Sequence, residues 1–299
     1  MALVLLTVAG TGAAWDNPVG QYPAQAGYAL ADPALIARGQ CWGLPNGMNW
    51  RWQGVGYPAA VTPMRPSVNA GVEEVVRLLL PSNFDPFVYP HPWQFVLDGY
   101  SQGAIVVCKI WRDEILSPAG RLHDRVNDCL GVITYGNPMR SPGVAYGNTL
   151  LWHHPVPDHL DGYVTGGIAG PDCLRPEECL FPAGHPLAGK VAVFDFANAG
   201  DLYAAAPINS DPWTKETVVG HDERLIYEMV MQFSGKSLFG FMKEMVDLFT
   251  MPFSHVWPLA EAIYNGILFA GQGSNAPHWQ YDSTPAITHL DALGKELAA

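Results

Sequence analysis

The sequence predicts an α/β protein with a mostly parallel central sheet flanked by helices. Three observations lead there. Short apolar runs that read as buried strands, LVLLTV, FVLD, GVITY and VAVFDF, alternate with Gly-rich turns and with stretches of helical periodicity. The chain has 299 residues, 48% of them hydrophobic and 15% charged, which is enough to bury one substantial core and too apolar for general disorder. The segment FVLDGYSQGAIVV passes from strand pattern to helix pattern through a single serine set between glycines.

The opening MALVLLTVAG is apolar, has no basic leader and is shorter than a membrane span, so it is read as the first buried strand. No other segment has the continuous apolar length of a transmembrane helix. The strand ends in Ala9-Gly10-Thr11-Gly12, whose glycines permit close backbone approach. The Thr11 N–H is a candidate donor to a developing oxyanion; the plainer reading is a tight strand-to-loop turn. From Gly39 to Pro66 the chain is rich in Gly, Pro and Trp and is expected to be an irregular but packed connection. VEEVVRLLL and AIVVCKIWRDEIL have the apolar spacing of helices.

Beyond residue 201 the texture changes. LIYEMVMQF, FMKEMVDLF and PLAEAIYNGILF each return apolar residues to one helical face, predicting a helical insertion or cap over 222–270. The core then divides into 1–221 and a C-terminal part, 271–299. The methionines and phenylalanines of the insertion suit helix packing, or a deformable apolar wall for a long acyl chain.

Sixteen basic against twenty-eight acidic residues give a net charge of −12, which argues against nucleic-acid binding through phosphates. There is no G-x-G-x-x-G or Walker A pattern, so no cofactor is expected. His153, His154, Asp158 and His159 form a cluster without zinc spacing, interrupted by Pro155 and Pro157, and no metal is expected. Five cysteines cannot all pair within one chain. Cys173 and Cys179 are close enough to invite a local disulfide, whereas Cys108 and Cys129 sit in apolar runs as buried thiols.

The chemistry points to Gly99-Tyr100-Ser101-Gln102-Gly103. A G-x-S-x-G pattern between a strand and a helix is the nucleophile elbow of an α/β hydrolase, with the Gln102 N–H placed to face an oxyanion. The plainer alternative for Ser101 is a buried or helix-capping serine. A serine hydroxyl needs an imidazole to take its proton and a third group to orient that imidazole. The hydrolase order, serine then acid then histidine, offers Asp201 after the strand VAVFDF, with Asp195 in that strand as its rival. For the base it offers His278 in NAPHWQY, with His289 on the expected last helix and His255 in the insertion as alternatives.

Several separated motifs resemble the phage Lysin B family: VAGTG, RWQGVGYPAAVTPMRPSV, GYSQGAIVV, LSPAGRLH, TYGNPMR, GDLYA and PHWQYDSTPA, in one order over most of the chain. The resemblance implies a cutinase-like α/β-hydrolase fold with an added helical domain. It implies that the nucleophile is Ser101, the acid Asp201 in GDLYA and the base His278 in PHWQY. It also implies the substrate, the ester joining mycolic acids to arabinogalactan in the host envelope, with no obligate protein partner. Synthesis in the host cytoplasm and action at the envelope after release follow from it as well. Two departures are visible: the family's usual H-G-T-G turn is Ala9-Gly10-Thr11-Gly12 here, and the Cys173 to Cys179 region looks like an embellishment. The residues alone leave open a cutinase-like lipase, a carbohydrate deacetylase or a non-enzymatic envelope-binding protein on the same scaffold.

Overall fold

The computed structural model describes residues 2–14, 22–30, 50–61, 63–80, 93–150, 157, 159–160, 162–201, 203–208, 210–214, 227–228, 231 and 276–298. Its centre is a parallel sheet in the order β2-β1-β3-β4-β7: Trp50–Gly54, Ala2–Val8, Trp93–Tyr100, Cys129–Tyr135 and Val193–Phe196. Every pairing is parallel. Parallel strands need crossovers, and the crossovers cover both faces, so the strands read as near-continuous apolar runs; all seven residues of β4 are buried.

One face of the sheet, with Val4, Leu6, Val8, Phe95, Leu97 and Val132, packs in one core cluster with residues of α2 (Met64–Leu79) and α3 (Gln102–Lys109). The other face, with Leu3, Leu5, Val96, Tyr100, Ile133 and Tyr135, packs with residues of α1 (Tyr22–Leu30) and α4 (Thr284–Ala298). At about 25 cal/mol per Å² of apolar surface removed from water, these two layers dominate the favourable side of folding. A buried indole ties the sheet edge to the C-terminal helix: Trp50 Nε1 donates to Leu290 O at 2.8 Å.

The four expected strands and both expected helices form. The helix predicted through AIVVCKIWRDEIL continues past α3 as a π-helix, Ile110–Leu116. Of the Gly39 to Pro66 segment, 39–49 and 62 lie outside the described residues; in the rest, where an irregular connection was expected, Trp50–Gly54 is an edge strand, with buried Trp50 and Trp52 alternating with half-buried Arg51 and Gln53. A small antiparallel sheet, β5 (His159–Leu160), β6 (Tyr163–Gly166) and β8 (Ala206–Pro207), was not anticipated.

The local Cys173–Cys179 disulfide that the sequence left open is not formed. Both are free buried thiols, and Cys173 Sγ donates instead to Gly167 O at 3.1 Å. The proposed insertion 222–270 lies outside the described residues except for Tyr227, Glu228 and Met231. Tyr227 and Met231 are buried in the first core cluster.

The strand order reverses between β1 and β3, and in open parallel sheets the crevice beyond the carboxyl ends at such a point is where ligands bind. Val8 is the register partner of Gly99, so the turn after β1 and the turn after β3 emerge side by side.

Candidate active site

Ser101 stands between β3 and α3 at φ 54 and ψ −116, a conformation that is strained for any residue with a side chain. Its N–H donates to Tyr135 O at 2.9 Å, while its carbonyl accepts from Ala104 and Ile105 at 3.0 and 3.2 Å. The flanking glycines are required sterically. A Cβ on Gly103 would lie 2.1 Å from Val8 O, and one on Gly99 would lie 2.5 Å from Gly103 O. The helix therefore presses against β1, and the half-buried hydroxyl is left at the crevice.

His278 comes from a short 3₁₀ turn, Pro277–Trp279, whose backbone is anchored by Tyr100 Oη donating to His278 O at 2.9 Å and Asn198 Nδ2 donating to Pro277 O at 2.8 Å. Its Nε2 is 3.0 Å from Ser101 Oγ and its Nδ1 is 2.8 Å from Asp201 Oδ2. An ionised carboxylate only accepts, so Nδ1 carries the proton and Nε2 is left to accept the serine's.

Asp201 is buried. Burial alone would raise its carboxyl; His278 opposite, with the Tyr281 hydroxyl and the Tyr203 amide, overcomes that and holds it below the ordinary carboxylate value. Tyr281 Oη donates to Asp201 Oδ2 at 2.6 Å, and the Tyr203 and Ala204 amides donate to Oδ1 at 2.9 and 3.4 Å.

The rivals fall elsewhere. Asp195 accepts from the Thr134 hydroxyl and from Asn137 Nδ2 at 2.7 Å, and burial raises its carboxyl in spite of these donors. His289 lies on α4 with its ring 4.6 Å from that of Phe194, and burial lowers its pKa. His255 is outside the described residues, as are His153, His154 and Asp158. Among the described residues no group of three His, Cys, Asp or Glu side chains is placed to hold a metal ion.

The Thr11 turn is held from the side. Gly12, at φ 74, donates its N–H to Ala59 O at 2.8 Å, and Tyr57 Oη donates to Ala9 O at 2.5 Å. Gln102, the first residue of α3, has one of the amides that a helix leaves unpaired at its start. Its side chain fastens the 59–60 segment: Nε2 donates to Ala60 O at 2.8 Å, and Oε1 accepts from Ser67 Oγ at 3.1 Å. Ser67 Oγ in turn accepts from Ala60 N at 2.9 Å.

Sequence reasoning missed this clamp, and it missed Tyr281 and Gly136. Gly136, at φ 56, follows β4, and a Cβ there would lie 2.7 Å from His278 Cε1. The available signals were weak: an aromatic three residues past the histidine, and a glycine at a strand's carboxyl end.

A hydroxyl on a strained strand-to-helix turn, joined through imidazole to a buried carboxylate beyond a parallel sheet, is the arrangement of an α/β hydrolase. The chain is 33% identical over 247 residues to Endolysin B of Mycobacterium phage D29, an alignment covering 81% of this chain and 86% of that one. It is 32% identical over 245 residues to Endolysin B of Mycobacterium phage L5, with the same coverage. The crystal structure of lysin B from Mycobacteriophage D29 superposes with a TM-score of 0.65 at 31% identity, covering 97% of this chain and 99% of that one. No family model matches the sequence. The protein belongs to the lysin B, or endolysin B, family.

Proposed function

We propose that the protein is a serine esterase that hydrolyses the ester between mycolic acids and arabinogalactan during phage lysis. The observation that carries this reading is the continuous hydrogen-bond chain from Asp201 through His278 to Ser101 in a member of the lysin B family. His278 Nε2 takes the Ser101 proton as Oγ attacks the ester carbonyl carbon. Asp201 stabilises the resulting imidazolium and holds its tautomer without itself being protonated. The Gln102 and Thr11 N–H groups face the oxyanion. Collapse returns the proton from His278 to the departing sugar oxygen and leaves an acyl-serine. Water, deprotonated by His278, then attacks the acyl carbon, and His278 returns that proton to the departing Ser101 Oγ as the fatty acid is released. All of these steps run on side chains and backbone amides of this chain. Synthesis in the host cytoplasm followed by action at the envelope belongs to the same reading.

The test is release of free mycolic acids from purified mycolyl-arabinogalactan by the unmodified protein and by Ser101→Ala. Release that Ser101→Ala abolishes is the expected result. Ser101-dependent cleavage of simple esters without mycolate release would retain the hydrolase and discard this substrate.

A further inference from the structure

Among the described residues the Asp201 carboxylate receives four hydrogen bonds, two on each oxygen, and the two oxygens differ in the kind of donor they accept. Oδ1 is held by backbone amides alone, those of Tyr203 and Ala204 at 2.9 and 3.4 Å. Oδ2 is held by side chains alone, His278 Nδ1 at 2.8 Å and Tyr281 Oη at 2.6 Å. An sp² oxygen offers two lone-pair directions, so a second strong donor fixes which one remains for the imidazole.

Tyr281 is itself braced. Its hydroxyl accepts from Asn198 N at 3.2 Å, and its backbone N–H donates to Tyr22 Oη at 3.1 Å. Its ring stands edge-on to those of Tyr22, Tyr135 and Tyr100 at 5.6, 6.0 and 6.4 Å. Tyr22 Oη also donates to Trp279 O at 2.5 Å, and Tyr100 Oη to His278 O at 2.9 Å, so the same tyrosines that seat Tyr281 seat the histidine turn.

We propose that Tyr281 is a positioning residue of the esterase reaction, its hydroxyl aligning the Asp201 oxygen on which the His278 ring is oriented. This rests on the proposed roles of Ser101, Asp201 and His278 and adds a fourth side chain to them. The phenol remains a donor across the working range, because burial and the adjacent Asp201 charge keep its proton on. Around the carboxylate, among the described residues, also lie the Tyr203 ring, tilted against that of His278 at 4.8 Å, the Tyr22 and Tyr100 phenols, and the buried Arg140 guanidinium. Arg140 donates to the carbonyls of Ala204 and Val144 at 2.5 Å, and Tyr281 is the side-chain hydroxyl that reaches Asp201.

The experiment compares the full-length protein with Ser101→Ala, Tyr281→Phe, Asp201→Asn and the Asp201→Asn/Tyr281→Phe double variant on p-nitrophenyl butyrate. Tyr281→Phe keeps the ring and its packing; near-UV circular dichroism reports that the fold is retained. Loss of a charge-assisted hydrogen bond used in the transition state is expected to lower kcat about tenfold with KM unchanged. Because the Tyr281 hydroxyl offsets part of the Asp201 charge, its removal is expected to leave the carboxylate a stronger partner for the protonated imidazole and to move the acid limb of the kcat/KM profile to higher pH. In the Asp201→Asn background the same change is expected to lower kcat no further. The proton resonance of the Asp201–His278 hydrogen bond is expected to shift in Tyr281→Phe, a readout independent of turnover.

A folded Tyr281→Phe variant with unaltered kcat, acid limb and resonance overturns the proposal, as does an equal loss in both backgrounds. Turnover that survives Ser101→Ala would instead overturn the reading of the site itself, and this inference with it.

Discussion

Gly136 has no side chain, and the space a side chain would need is taken by the site. A Cβ there would lie 2.9 Å from His278 Nδ1 and 3.2 Å from Asp201 Oδ2, on a backbone already at φ 56. Gly136→Ala is therefore expected to displace the imidazole while the sheet survives. A displacement of about 1 Å costs about 100-fold in kcat, and the positive φ adds about 1–2 kcal/mol of instability. Ester turnover alongside denaturant unfolding checks both, and near-normal kcat would show that the ring has room to yield. Little of this was readable beforehand. Ser101 was legible because G-x-S-x-G encodes a steric requirement that its own residues state. Asp201 could be preferred to Asp195 only because a loop position aims a carboxylate more freely than a strand position, since both lie near the carboxyl end of one strand. Only the fold decides which faces His278 and which faces Thr134 and Asn137.

At the level of elements, the crevice is assembled from the ends of β1, β3 and β4 and the turns that follow them. Its least obvious support is α2, which contributes Ser67. Through Ala60 and Gln102 this hydroxyl couples the segment bonded to Gly12 with the start of α3. Ser67→Ala leaves the Ala60 N–H and the Gln102 carbonyl without that partner and is expected to destabilise the fold by about 1–3 kcal/mol. It is expected to lower kcat several-fold by loosening the Thr11 turn. Steady-state kinetics with a thermal-unfolding scan measures the two effects, and a stability loss without a kcat change would detach the clamp from the oxyanion side. The strands β1, β3, β4 and β7 were legible because burial on both faces leaves an apolar run. β2 was not, although Trp50 and Trp52 alternate with Arg51 and Gln53, because surrounding Gly and Pro residues outweighed a five-residue signal. Tyr281 reaches Asp201 across 80 residues of chain, a contact no local pattern carries.

The whole molecule carries an internal acid whose protonation follows from its place in the sheet. Asp98 sits on β3 between Thr7 and Ile133, entirely buried, and neither carboxyl oxygen has a hydrogen-bond partner among the described residues. Burial raises its carboxyl well above the ordinary value. An acid with a raised folded value binds more protons folded than unfolded. Its contribution is therefore fully present below the unfolded value near pH 4, about 3.9 for aspartate, and is withdrawn as pH rises toward the folded value. The withdrawal amounts to about 1.4 kcal/mol per pH unit. Asp98→Asn keeps the size and removes the titration, so its stability relative to the unmodified chain is expected to climb between pH 4 and pH 7. Urea unfolding of both proteins across that range tests it, and parallel stability curves would show that Asp98 is ionised in the fold.

Every group assigned to the reaction gathers at the carboxyl rim of the sheet, so the opposite rim carries none of them. The turn that returns the chain from the π-helix to β4 exposes Pro118 and Ala119 there, while Cys108, Cys129, Cys173 and Cys179 are buried thiols. With Cys41, which lies outside the described residues, changed to serine, a cysteine introduced at Ala119 is a handle by which the protein can be tethered to a bead or a sensor with its crevice facing outward, so that an insoluble cell-wall fragment can meet the immobilised enzyme unobstructed.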